Sequence, residues 1–353
     1  MNPVVAAVDL RVERTEAVQK ACKLIGGIDD IDVPDRELVV KVGVYTPAKD
    51  GYSTVDTVSG ILHSFRRSPK RYIVESDNYQ GGGMERLQIW RQLFLDSVVP
   101  VNLSQDTDTA TIRIPNPIRE VTVNVSRLIL KPKVFVDTHV MRTYERGNIL
   151  KNLFGLTPTN KKVQYHKSEI FYSLLTTLYE AIGGIDLAVL DATYFTHSLK
   201  EKSVTVQTDV LLVGRDAVAV ETLGLHLAGI DVRKNDLIRS FVGKGLGVGD
   251  LHSIDAVGMS IEDLEAGFTE ARKECMSKIP DAWSPSKAID DLIVSGFFKS
   301  SKKRTIDEIV TALVKKDART RGREKMIYAN VKRRVEKGKL LSKKVDEETV
   351  FWT

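Results

Sequence analysis

The sequence repeatedly sets a short, almost unbroken β-branched run ahead of a segment with helical periodicity. Leu38-Val39-Val40-Lys41-Val42-Gly43-Val44 is one such run, and Val55, Val58, Ile61, Leu62 and Phe65 then recur along one helix face. Tyr72-Ile73-Val74-Glu75 is a second, followed by the loop Ser76 to Gly83 and a helix carrying Leu87, Trp90 and Phe94. Leu187-Ala188-Val189-Leu190-Asp191 and Val210-Leu211-Leu212-Val213 repeat the theme, and Ile170, Leu174, Leu178 and Ile182 mark another helix. Strands apolar on both faces need helices on both sides. The alternation therefore predicts a Rossmann-like α/β core with a largely parallel sheet, in two lobes. Residues 109–126 read instead as a hairpin turning at Pro115-Asn116-Pro117, and Lys131-Pro132-Lys133 leads into a further strand.

Charge divides the chain. Its 353 residues carry a net charge of +5, yet residues 302–353 hold 16 Lys/Arg against 8 Asp/Glu. The preceding 301 residues hold 36 against 39, so the excess positive charge belongs to the last segment. A boundary is expected at Gly296–Arg304, giving a core over 1–300 and a small basic domain over 303–353. There Thr305 and Glu308 suit a capping box on a helix with Ile306, Ile309, Val310 and Leu313. A second helix would carry Ile327, Tyr328, Val331 and Val335, with Lys332, Arg333 and Arg334 on its open side. Gly338 would end it, and residues 340–344 and 349–352 would pair as a hairpin. This order resembles a winged-helix domain. Such domains place a basic helix in DNA or serve as protein-interaction modules, and both uses stay open.

Several classes are excluded early. No stretch approaches 18 uncharged apolar residues, and Asp9 comes too soon for a signal peptide, so a cytoplasmic protein with no membrane partner is expected. Cys22 and Cys275 cannot form a disulfide framework. The sequence has no C-x-x-C pair, no H-E-x-x-H and no P-loop, and Gly245-Leu246-Gly247-Val248-Gly249-Asp250 reads as a turn.

The chemistry concentrates between Lys131 and Lys167. Within it fall Lys133, Asp137, His139, Arg142, Arg146, Lys151, Asn152, Lys161, Lys162 and His166. Imidazoles there can move protons or ligate a metal, and a lysine among cations can have a lowered pKa. A solvated basic loop is the alternative. Asp77, Asp191 and Asp216 each follow a strand-like run, where carboxylates either line a cleft or cap the next helix. His63 and His226 read as packed or surface residues, and His197 as a loop residue that could line the cleft.

Pro132-Lys133, Thr138-His139, Leu150-Lys151-Asn152-Leu153-Phe154-Gly155 and His166 together resemble the signature of the domain of unknown function 362 family. Lys41, the Asp77 to Gly83 loop, Asp191, and Asp216-Ala217-Val218-Ala219-Val220-Glu221 match further elements in order, over roughly residues 35–260. This chain departs at Val42-Gly43, where the family has proline-asparagine, and at Asp137, where it usually has lysine. Met141 to Arg146 replaces a stretch of small residues. The cysteine clusters of some relatives are absent, which leaves an iron–sulfur cofactor unsupported. The order His139, Lys151, His166 is also similar to that of nickel-pincer lactate racemases. That resemblance implies an acid/base role for His139, an anchoring role for Lys151 and a divalent-metal role for His166.

The combined expectation is an enzyme or cofactor-binding protein acting on a small anionic ligand. His139 and Lys151 would be catalytic, and Lys41, Asp77, Lys133, Asn152, Asp191 and Asp216 would bind the ligand, with His166 on any metal. The alternative is a ligand-responsive regulator that binds nucleic acid through Lys332, Arg333 and Arg334, or a protein partner through the same domain.

Overall fold

The computed structural model describes residues 2–353 apart from 14–15, 49, 96–97, 117–119, 160–161, 199–202, 279–283, 300, 318–319 and 346–347. Pro117 of the expected turn and Lys161 of the basic stretch lie outside the described residues. The chain divides into two compact units, Met1–Lys278 and Ile279–Thr353.

The first unit is built on one eight-stranded sheet, where two lobes were expected. Its strands in chain order are β1 (Val4–Asp9), β2 (Leu38–Val42), β3 (Arg71–Glu75) and β4 (Val98–Asn102), then β5 (Thr109–Ile114) and β6 (Val121–Ser126). The last four are β7 (Val134–Arg142), β8 (Leu187–Ser198), β9 (Ser203–Gly214) and β10 (Asp255–Gly258). The sheet order is β10-β1-β9-β8-β7-β2-β3-β4, with β5 and β6 apart as the expected hairpin. β9 runs antiparallel to both neighbours, and the other pairs in the sheet are parallel.

Side-chain alternation along these strands decides what reaches the site. Leu38, Val40 and Val42 of β2, Val134 and Val136 of β7, and Leu187 and Val189 of β8 join one core with Val58, Ile61 and Leu62. The helix Val55–Ser64 covers that face. Lys41, Asp137 and His139 therefore belong to the opposite face, and Lys41 stands directly beside Asp137 in the β2–β7 register. Asp191 shares the parity of Val189 and falls on the other side.

The chain leaves β2, adds β3 and β4 on one flank, and returns through β7 on the other. The carboxyl ends of β2 and β7 thus form a topological switch point, where open α/β sheets leave a crevice.

The second unit contains the helices Pro285–Val294, Ile306–Lys316 and Glu324–Glu336 with a three-stranded antiparallel sheet. Its strands are β11 (Arg304–Thr305), β12 (Leu341–Val345) and β13 (Glu348–Trp352), in the order β11-β13-β12. Thr305 and Glu308 form the expected capping box, and Gly338 takes a φ of 67° after the last helix. The division falls earlier than Gly296–Arg304 because Ile289, Leu292 and Phe298 pack with Ile309, Leu313, Ile327, Val331 and Phe351. Arg334 does not lie on the open side of its helix. It is buried against Asp290 at 2.7 Å and also donates to Ser286, whereas Lys332 and Arg333 are exposed. Among the described residues, no helix is long and apolar enough to cross a membrane.

Candidate functional site

A cleft of about 960 Å³ opens at the switch point, lined by the Gly43-Val44-Tyr45 turn after β2, by His139 and Arg142 of β7, and by segments that follow β3 and β7. Its floor is a buried ionic network. The Lys41 ammonium is fully buried and donates to Val42 O at 2.7 Å, Asn152 Oδ1 at 3.0 Å and Glu75 Oε1 at 3.1 Å. These three acceptors use all three of its protons. Glu75 also accepts from Val44 N at 3.1 Å and lies 3.6 Å from Arg86, which itself donates to Val44 O and Ser76 O. Burial works to raise the Glu75 pKa, and Lys41, Arg86 and Lys162 overcome it and hold the carboxyl below its ordinary range.

Asn152 ties this floor to β7. Its amide nitrogen donates to Asp137 Oδ1 at 2.8 Å and to Thr138 O at 3.2 Å. Asp137 Oδ2 is buried with no hydrogen-bond partner, and burial pushes the Asp137 pKa up to about 8 against the opposing pull of Lys41. Gly155 allows the close packing, since a Cβ there would fall 2.7 Å from Lys41 Cε and 2.8 Å from its Nζ.

Above the floor, His139 Nδ1 lies 2.7 Å from Val140 O. A carbonyl only accepts, so Nδ1 carries the proton and Nε2 keeps its lone pair. Burial, helped by Arg142 and Lys151, pushes the His139 pKa down to about 3, and the ring is neutral. Lys151 sits on the short helix Ile149–Asn152, whose first amides are fixed from below. The fully buried Glu221 accepts from Asn148 N at 2.8 Å and Leu150 N at 2.9 Å. Burial pushes Glu221 up to about 7, although these amides favour its charged form.

Four cations of the cleft, Arg142, Arg146, Lys151 and Lys162, form no ion pair within 4.0 Å among the described residues. Aromatic faces hold three of them. Arg142 lies 4.9 Å from the Tyr45 ring centre, Lys151 4.2 Å from Tyr144 and Arg146 5.0 Å from Phe171. Lys162 donates to Ser76 Oγ at 2.6 Å. A ring face orients a cation without cancelling its charge, as a carboxylate would. Burial pushes Lys151 down to about 8, aided by Arg142 and Arg146, and pushes Lys162 down to about 8 against the pull of Glu75.

The sequence-derived candidates separate cleanly. His139, Lys151, Asn152 and His166 line the cleft, and Lys41 lies beneath it. The other four are held by structural partners, Asp77 at the rim of the cleft and the rest away from it. Asp77 accepts from Gly83 N at 2.7 Å and Asn102 at 2.9 Å, bracing the glycine loop. Lys133 precedes β7, at the amino end of that strand and so away from the cleft, where it donates to Ile182 O at 2.8 Å. Asp191 does not end its strand, since β8 continues to Ser198 through a bulge. It accepts from Thr54 N at 2.7 Å and Thr193 N at 2.9 Å. Asp216 caps the helix Ala217–Leu227 and accepts from Val248 N at 2.9 Å, which also orders the Gly245–Asp250 turn. His197 is part of β8, where its Nδ1 meets Thr143 Oγ1 at 3.2 Å.

His166 does not fit a metal centre built from protein side chains. Its ring lies against Phe154 and Phe171, with the Arg146 guanidinium 3.3 Å from Nδ1. Among the described residues, no three His, Cys, Asp or Glu side chains gather as metal ligands. Sequence reasoning missed Glu75, Arg86, Tyr45, Tyr144 and Glu221. Glu75 ends a strand and was open to the rule applied to Asp191, whereas the tyrosines stand in loops with no periodic signal.

Fold and cleft together define an α/β protein whose switch-point crevice presents unneutralised cations and a neutral imidazole. The chain belongs to the family described as Domain of unknown function (DUF362), which matches residues 40–226, as its motifs led us to expect. No curated protein matches the sequence. Among solved structures, the lactate racemase apoprotein from Thermoanaerobacterium thermosaccharolyticum is similar over 58% of this chain, at 10% identity and a TM-score of 0.32. The match spans 54% of that protein, about half its length. A loganic acid methyltransferase with SAH aligns over 97% of this chain and 91% of its own, at 11% identity and a TM-score of 0.26. Similarity this weak carries no argument about chemistry.

Proposed function

We propose that the core is an enzyme or cofactor-binding protein that holds a small anionic ligand in the cleft, with Lys151 as the anchoring cation and His139 Nε2 as proton acceptor. One observation carries this reading: four cations line the cleft and none meets a carboxylate within 4.0 Å among the described residues. Gathering and desolvating like charges is costly without a counter-charge. An entering anion supplies that counter-charge and raises the basicity of the neighbouring imidazole. The test is calorimetric titration with inorganic phosphate and pyrophosphate, comparing the native protein with Lys151→Ala. Binding by the native protein, and its loss in a variant that melts normally, is expected. Equal binding by both would remove Lys151 from the site, and no binding of any anion would end the reading.

A second reading concerns the C-terminal unit, where Lys332 and Arg333 are exposed on one helix and Lys343 and Lys344 on β12. We propose that these cations contact the phosphates of duplex DNA. Affinity for a random-sequence duplex should then fall steeply with salt, and absence of binding at low salt would dismiss this role.

A further inference from the structure

The unpaired cations stand at two separate places. Arg142 ends β7, and Lys151 lies over Tyr144, two residues beyond that strand. Arg146 follows in the same loop. Lys162 is bound instead to Ser76, the residue immediately after β3. Between β7 and β3 lies β2, so the two anchorages are two strand spacings apart across the sheet, and Arg142 stands three residues further along its strand than the level of Ser76, a backbone separation on the order of 14 Å. The lining between them is the Gly43-Val44-Tyr45 turn and Phe154, with Val163 nearby, and it offers no further unpaired cation among the described residues.

The two poles differ in chemistry. At the β7 pole, Arg142 and Arg146 each spend one nitrogen on a backbone carbonyl, Asp50 O and His166 O, and their remaining donors suit the several oxygens of a phosphate, with Lys151 beside them. At the β3 pole, one ammonium stands beside a serine hydroxyl, and Glu75, bound to Lys41 and Arg86, is close by. That pole suits a group of lower charge. The cleft volume of about 960 Å³ also exceeds what an inorganic ion fills and is in the range of organic ligands.

The geometry points to an elongated ligand with a phosphate at one end and a carboxylate at the other. The phosphate sits on Arg142, Arg146 and Lys151, and the carboxylate on Lys162 beside Ser76. This deepens the proposed function and rests on it. Lys162 becomes the residue that measures ligand length.

A graded series of ω-phosphonocarboxylates tests this, with inorganic phosphate as the single-pole reference. Affinity should peak at one intermediate chain length, at least about tenfold above inorganic phosphate, because the second contact becomes intramolecular. Lys162→Ala should abolish that peak and bring the series down to the phosphate level. Lys151→Ala should weaken every member together with phosphate. Flat affinity along the series, with phosphate still bound, overturns the two-pole ligand and leaves the anion cleft standing. A length peak that survives in Lys162→Ala also overturns it. Failure of phosphate and the whole series to bind would end both readings.

Discussion

The Cδ2 edge of the His139 imidazole lies against the backbone of Gly43, in a space that admits no side chain. A Cβ built on Gly43 would stand 2.9 Å from His139 Cγ and 3.0 Å from Nε2, and closer still to Cδ2. The departure from proline-asparagine at Val42-Gly43 thus sits directly under the candidate proton acceptor. Gly43→Ala should cost about 1–3 kcal/mol through overpacking and turn the imidazole away from Val140 O. The checks are urea denaturation and the His139 ring resonances by nitrogen-15 NMR. Unchanged resonances would show that the ring does not depend on this glycine.

Lys41 is a structural cation, and its removal should be read in stability before function. Lys41→Met leaves Asn152 Oδ1 without its donor and Glu75 with Arg86 at 3.6 Å as its remaining ion-pair partner among the described residues. Breaking a buried pair from one side costs about 3–5 kcal/mol. The double variant Lys41→Met, Glu75→Gln strips the buried Arg86 of its carboxylate as well, so it should be no more stable than Lys41→Met alone. Chemical denaturation of both decides it, and a double variant clearly more stable than the single would show that Glu75 matters to Lys41 and not to Arg86.

Much of this site was legible in the sequence, and each failure has a physical cause. The β-branched run Leu38 to Val44, with Lys41 inside it, already signalled a buried strand carrying a charge that needs partners. The cluster His139, Lys151, Asn152, His166 was found from motif order, and it does line one cleft. Asp191 was misplaced because a strand-terminal carboxylate was given a position along the strand without a face. The two-residue alternation puts it with Val189, on the side of Thr54, away from Lys41 and Asp137. Lys133 was misplaced along the strand instead, because it precedes β7 and so stands at its amino end, away from the cleft. Glu221 was hidden for a different reason: its partners, the amides of Asn148 and Leu150, are more than 70 residues away in the chain.

The C-terminal unit separates a structural arginine from two exposed cations next to it. Arg334 is 8% exposed and bridges to Asp290 and Ser286, while Lys332 and Arg333 face solvent. Arg334→Ala should lower the stability of this unit by about 1–3 kcal/mol, through the loss of its hydrogen bonds to the half-exposed Asp290 and to Ser286. The pair Lys332→Ala, Arg333→Ala should leave the melting temperature within about a degree, since exposed cations contribute little to stability. If the unit contacts DNA, that pair should reduce both affinity and the salt slope. Equal thermal effects from the two variants would mean that burial does not distinguish these residues.

Anion binding should carry a pH dependence set by the two lysines held at about 8. Burial lowers both, so in the free protein each is fully charged well below pH 8 and largely neutral well above it. An anion prefers the charged form, so affinity is greatest at lower pH and falls as pH rises through 8. Binding must then draw a proton onto Lys151 near that pH, and onto Lys162 as well where the ligand reaches both poles. Between pH 8 and 10 the charge of phosphate itself hardly changes, so the protein's own titration is what is seen. Affinity should fall there by up to about tenfold per pH unit for each lysine that must be charged. Calorimetry in buffers of different ionisation enthalpy should report net proton uptake at pH 8. Lys151→Arg should keep the anion while making the slope shallower, because a guanidinium stays charged throughout. Affinity that is flat from pH 8 to 10, without proton uptake, would show that neither lysine meets the bound anion.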